Sequence, residues 1–178
     1  HWAADRGDAQ VAEMLLVAGA NTNAVTRIGH YTPLHIASRQ GNTDVAKALM
    51  EHGADVNVRT TNSNATPLHL AAAAGKTDLI ALLLDRKADI NAKEGEWGQT
   101  PLIFAASLNR VDAIKLLMER GADPAITTKL VDLAAESALA RAATAQQNKA
   151  IATFRLRPDQ DLTPDQVQAA AQIGRQIA

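Results

Sequence analysis

The chain is expected to fold as an all-α solenoid of stacked helix–turn–helix units with projecting β-hairpin-like fingers. Thr-Pro-Leu recurs at Thr32-Pro33-Leu34, Thr66-Pro67-Leu68 and Thr100-Pro101-Leu102, a step of 34 residues each time. A period of this size marks copies of one supersecondary unit. Other features hold the same phase. The apolar pairs Leu15-Leu16, Leu49-Met50, Leu83-Leu84 and Leu117-Met118 do so, as does Gly-Ala-(Asn/Asp) at 19–21, 53–55 and 121–123, which becomes Lys87-Ala88-Asp89 in the third copy. The composition fits as well: 47% of the 178 residues are hydrophobic but only 3% are aromatic. Short helices packed through Ala, Leu and Val need few large side chains.

One unit can be followed over residues 66–92. Thr66 suits an N-cap, because its hydroxyl can accept from a backbone N–H of the first turn. Pro67 follows at the first helical position, where a missing N–H costs nothing. The helix Pro67–Ala74 carries Leu68, Leu70, Ala71 and Ala72, and Gly75 ends it as a left-handed terminal residue. Thr77 or Asp78 is expected to cap a second helix bearing Leu79, Ile80, Leu82, Leu83 and Leu84. Lys87-Ala88-Asp89 closes it, and a polar projection, Lys93–Gln99, follows. The same spacing places copies at about 1–24, 25–58, 59–92 and 93–127. Gly7 and Gly41 repeat the role of Gly75, with Asn109 in the fourth copy. Trp2, in phase with Ile36, Leu70 and Phe104, is expected to pack in the core.

These residues resemble the ankyrin repeat. Thr32-Pro33-Leu34-His35-Ile36-Ala37 and Thr66-Pro67-Leu68-His69-Leu70-Ala71 match its Thr-Pro-Leu-His-x-Ala signature in full. The fourth copy departs at Ile103, and His1-Trp2-Ala3 is the tail of a truncated first copy. The resemblance covers residues 1–127, and the Trp/Gly/Tyr pattern of tetratricopeptide repeats is absent. The family's usual period is about 33, so the extra residue is placed in the fingers, where loop closure adds little cost. The resemblance implies that His35 and His69 hydrogen-bond the Thr-Pro turn, and that the chain binds a protein partner.

Beyond the repeats the reading thins. Residues 128–154 read as a degenerate repeat or C-terminal helical cap, 155–162 as a linker, and 163–178 as a helix capped by Thr163 with Gln166. The ragged ends suggest a structural segment or spacer of a larger chain as the alternative role, with further repeats or domains beside it. An enzyme or ligand site in 130–178 is disfavoured, because Asp132, Glu136, Arg141, Arg155 and Arg157 fall in no recognised pattern.

Charge and motif content exclude several functions. Residues 1–128 carry 12 basic and 14 acidic side chains, so there is no basic patch to suggest nucleic-acid binding. No apolar run approaches membrane-spanning length, and no signal peptide is legible. Without cysteine there is no disulfide, thiolate site or thiol nucleophile, and cytoplasm and periplasm suit the chain equally. His1, His35 and His69 stand in phase. Packed helices lie about 8–10 Å apart, so such a row cannot share one zinc ion, whose nitrogen ligands sit at about 2 Å. Glu94 and Glu96 read as a solvated pair on a finger. No catalytic set, metal or cofactor is therefore expected.

The positions left free by the repeat are the candidate binding residues. They are Arg27, Ile28, His30 and Tyr31 on the first finger, Arg59 and Asn62 on the second, and Glu96, Trp97 and Gln99 on the third. Arg39, Gln40, Ser107 and Leu108 add the faces of the first helices. Trp97 and Tyr31 are of the residue types that dominate binding hot spots.

Overall fold

The structure, a computed structural model, describes residues 1–128 together with Arg141, Ala142 and Ala145. The chain divides between Lys129 and Leu130, so residues 1–128 lie in the first unit. The expectations for 128–154, 155–162 and 163–178 fall almost wholly outside the described residues.

The described residues form eight helices and no strand: α1 Trp2–Arg6, α2 Ala9–Val17, α3 Pro33–Gln40, α4 Thr43–Glu51, α5 Pro67–Ala74, α6 Thr77–Asp85, α7 Pro101–Ser107 and α8 Val111–Glu119. The odd-numbered helices pack side by side as an inner layer, and the even-numbered ones do the same as an outer layer. The core lies between the layers. Leu34, Leu68, Leu79, Ile80, Leu83 and Leu117 are fully buried there, and alanines such as Ala37, Ala71, Ala105 and Ala113 allow the helices to approach. Each fully buried leucine or isoleucine contributes about 1.5–3 kcal/mol.

Local chemistry sets where the inner helices begin and end. Thr32, Thr66 and Thr100 are extended N-caps followed by proline. The left-handed residues Gly7, Gly41 and Gly75 terminate α1, α3 and α5. Space adds to the preference for glycine at these ends: a Cβ on Gly41 would displace the Lys76 side chain, and one on Gly7 would meet Asn42. The residue opening each outer helix thus lies over the inner-helix end of the preceding copy. Asn42 Nδ2 donates to the Ala4 carbonyl at 2.7 Å, and Arg110 Nε to the Ala73 carbonyl at 2.9 Å. These donors satisfy carbonyls that a helix terminus leaves open.

That packing corrects one expectation. Thr77 is the first residue of α6, not its cap; Lys76 is the N-cap, and no side-chain bond supports it. The helix start is set by backbone closure, Ile80 N–H to the Lys76 carbonyl at 2.9 Å, and by Lys76 lying on the previous copy. Only the first copy uses a side chain in the expected way, with Asp8 accepting from Val11 N–H at 3.0 Å.

Trp2 is also corrected. It is 64% exposed, whereas Ile36 at the equivalent position is buried. In the fourth copy this position packs backwards, with the Phe104 ring edge-on to His69 at 5.1 Å. The described residues place no copy on that side of Trp2.

The histidines join copies. His35 Nδ1 receives the Thr32 backbone N–H at 3.2 Å and lies 2.9 Å from the Thr32 hydroxyl. Its Nε2 lies 3.2 Å from the Ala65 carbonyl in the next copy. His69 repeats this with Thr66 at 3.1 and 2.9 Å and with the Gln99 carbonyl at 3.0 Å. Because Nδ1 accepts a backbone N–H, the proton belongs on Nε2, which donates to the carbonyl. The bond to the turn follows the family pattern; the bond across copies is added by the stacking. Asn57 forms a parallel tie, donating to the Lys87 carbonyl at 3.2 Å and accepting from Asp89 N–H at 2.8 Å. Asn91 accepts from Asp123 N–H at 2.9 Å. On the outer helices Glu51–Arg86 and Asp85–Arg120 pair across copies at 3.5 and 2.8 Å. These pairs are exposed and add little stability.

Candidate partner-binding surface

Each finger is closed by a backbone hydrogen bond: Thr26 N–H to the Tyr31 carbonyl, Thr60 to Ala65 and Glu94 to Gln99, at 3.0, 3.0 and 2.9 Å; the second finger adds Asn64 N–H to the Thr60 carbonyl at 3.0 Å. These closures make the fingers hairpin-like without a strand ladder. A side chain at the closing position then pins each turn. In the first two fingers this is a threonine hydroxyl, Thr26 accepting from Tyr31 N–H at 3.0 Å and Thr60 from Ala65 N–H at 3.1 Å. The turns need a left-handed residue near the tip, supplied by His30, Asn64 and Gly98 with φ of 52°, 53° and 68°.

The third finger is built differently, and here the reading of a solvated carboxylate pair is wrong for Glu94. Glu94 is 5% exposed. Its carboxylate accepts from the backbone N–H groups of Glu96, Trp97 and Gln99. Burial alone would raise its pKa, but the amides of Gln99, Glu96 and Trp97 together hold it below the usual carboxylate range. Glu96 itself is exposed. The carboxylate replaces the threonine of the other fingers and reaches three amides where a hydroxyl reaches one. The Thr/Thr/Glu series at 26, 60 and 94 was the available signal, but its meaning needs the turn geometry.

The fingers are tied together. Arg59 Nη1 donates to the Lys93 carbonyl at 2.9 Å and to the Asn64 carbonyl at 3.2 Å. Gly95 N–H donates to the Ser63 carbonyl at 2.7 Å. Trp97 is therefore presented from a turn whose backbone is pinned on both sides, with 43% of its surface exposed.

The candidate residues separate into two groups. Several are engaged within the fold. Arg59 joins fingers, Gln40 donates to Asp5 at 2.6 Å, and the Arg39 guanidinium lies 6.0 Å from the centroid of the half-buried Tyr31 ring. The Gln99 carbonyl accepts from His69, and the Ser107 hydroxyl donates to the Phe104 carbonyl at 3.0 Å. Asn62 accepts from its neighbour Ser63 N–H at 2.9 Å. The others point to solvent: Arg27, Ile28, His30, Glu96, Trp97 and Leu108, with Ile28 80% exposed. Among the described residues no group of three or more His, Asp or Glu side chains could hold a metal ion, and no helix is long and apolar enough to cross a membrane. A cavity of about 230 Å³ sits in the first copy among Ala3, Ala4, Ala12, Leu16, Val45 and Leu49. Ala12 stands there in phase with Ala46, Ile80 and Ile114, so the first two copies carry the smaller side chain at this position.

The comparison with known families agrees with this geometry. The family model described as ankyrin repeats (3 copies) matches residues 1–94 and 61–128. No curated protein matches the chain.

Proposed function

The chain belongs to the ankyrin-repeat family, a family of non-catalytic protein–protein interaction modules, and on that basis we propose that it binds a protein partner through its fingers and inner-helix face. The observation that carries this reading is Trp97: a large aromatic, 43% exposed, on a turn held by the buried Glu94 carboxylate and tied to the neighbouring finger. A preordered aromatic loses little conformational freedom on docking, and tryptophan is prominent among hot-spot residues. Ile28 supplies a second apolar contact on the first finger. The engaged residues Arg59, Gln40 and Arg39 act as scaffold for these contacts, and Ser107, which ends α7, and its C-cap Leu108 extend the proposed face to the inner helices.

The test is affinity capture from cells that produce the protein, using the full chain, Trp97→Ala, Ile28→Asp and the outer-helix control Asp78→Lys. Capture should be lost in the two finger variants and kept in the control. Equal capture by all four proteins would refute a finger-based interface.

A further inference from the structure

We infer that the partner presents an acidic segment bearing apolar anchor residues. This rests on the binding role proposed above and names the chemistry of its occupant. The argument is a charge polarity that the net charge conceals. Fingers and inner helices carry five basic residues, Arg6, Arg27, Arg39, Arg59 and Lys93, and three acidic ones, Asp5, Glu94 and Glu96. The rest of residues 1–128 carries seven basic and eleven acidic residues, the opposite balance.

Of the three acids on the binding side, Glu94 is buried and bound to three backbone amides, so it presents no carboxylate to a partner; Asp5 is exposed and accepts from the neutral Gln40 amide. Glu96 is the exposed acid left on the fingers, facing solvent beside Trp97 in the sequence. The five cations are all exposed. Arg59 and Arg39 have partners, but a carbonyl and an aromatic ring leave their positive charge uncompensated. Such a surface attracts carboxylates and repels cations, which steers encounter and selects the partner.

The apolar half of the inference comes from the inner helices. Along the stack one position reads Asp5, Arg39, Ala73, Ser107, and the next reads Arg6, Gln40, Ala74, Leu108. The third copy thus presents two alanines between bulkier neighbours. Both alanines are half-buried, and Leu108, 50% exposed, stands in phase with Ala74 on the next copy. With Ile28 and Trp97 these side chains offer apolar contact to a leucine or phenylalanine of the partner. A nucleic acid fits less well. Its affinity comes from many phosphate contacts, and this side has a surplus of two basic residues and an exposed isoleucine.

The experiment selects displayed random peptides on the full chain. The enriched peptides are then titrated, together with a DNA oligonucleotide, against the wild type, the Arg27→Glu/Lys93→Glu double variant, Trp97→Ala and Asp78→Lys. Circular dichroism confirms that each variant is folded. Enriched peptides should be rich in Asp and Glu with a Leu, Phe or Trp anchor. Their affinity should fall at least about tenfold in the double variant and weaken with added salt. Asp78→Lys should leave it unchanged. Basic or uncharged enriched peptides that still require Trp97 would overturn the acidic assignment and leave the binding surface standing. Peptides indifferent to all finger variants, or no enrichment at all, would overturn the surface itself. Tighter binding of the oligonucleotide than of any peptide would replace the partner class.

Discussion

Acidification should weaken the stack before the Glu94 carboxylate is protonated, and His69 sets the size of the effect. The ring is fully buried, with Nδ1 accepting from Thr66 and Nε2 donating to the Gln99 carbonyl. The Nδ1 bond requires the neutral form, because a protonated Nδ1 cannot accept the Thr66 N–H. Burial is the main reason that its pKa is lowered from 6.5 to about 4; the Gln99 carbonyl opposes the shift, Arg59 assists it and Glu94 opposes it. A base held below its unfolded pKa stabilises the fold fully above that value. The stability is lost as pH falls toward the folded value. At about 1.4 kcal/mol per pH unit, His69 should contribute roughly 2–3 kcal/mol of destabilisation between pH 7 and pH 4.5. His35 shifts in the same direction, mainly through burial, and adds to the loss. Glu94 titrates lower, because its folded pKa lies below 4.5; its contribution disappears only in more acid solution. Urea unfolding of wild type and His69→Gln across this range is the assay. The wild type should lose stability faster by that amount. Parallel pH profiles, or a ring resonance of His69 in the folded protein titrating near 6.5, would refute the reasoning.

Three other outcomes follow from particular side chains. Glu94→Gln should cost about 1–3 kcal/mol in urea unfolding, since one carbonyl oxygen cannot serve three amides; Glu94→Thr should keep the finger closed but speed amide exchange at Glu96 and Trp97. The Ser38 hydroxyl is buried with no hydrogen-bond partner, where the other copies carry Ala4, Ala72 and Ala106; Ser38→Ala should therefore stabilise the protein by about 1 kcal/mol. Ala12→Ile should fill the cavity of the first copy, raising the unfolding midpoint with a gain of about 1 kcal/mol; a loss would mean that the site cannot accept the added volume without strain.

Much of the fold was legible because repetition multiplies weak local signals. A single Thr-Pro pair or glycine says little, but the same caps at one interval locate every inner helix. Trp2 departs from the expected burial because this position depends on the preceding copy: the described residues give Trp2 no counterpart of the neighbour that Phe104 finds in His69. The expected cap of α6, Thr77 or Asp78, falls one or two residues late because the helix start depends on Lys76 lying over another copy. At the candidate surface the sequence separated repeat positions from free ones, but it could not tell which free side chains the fold already holds. Arg59 and Gln40 are held by partners 34 and 35 residues away.

The sequence by itself determined the repeat, the helix boundaries of the inner layer, the lack of any thiol and the lack of an apolar run long enough for a membrane-crossing helix, because these depend on local caps, composition and spacing. Only the tertiary structure decided that Glu94 is a buried clamp while Glu96 is solvated, that the histidines bond across copies, and that Trp97 stands on a pinned turn. The physical reason is that burial and hydrogen-bond satisfaction belong to pairs of copies. A carboxylate two residues from another has no fate of its own until the backbone brings three amides to it.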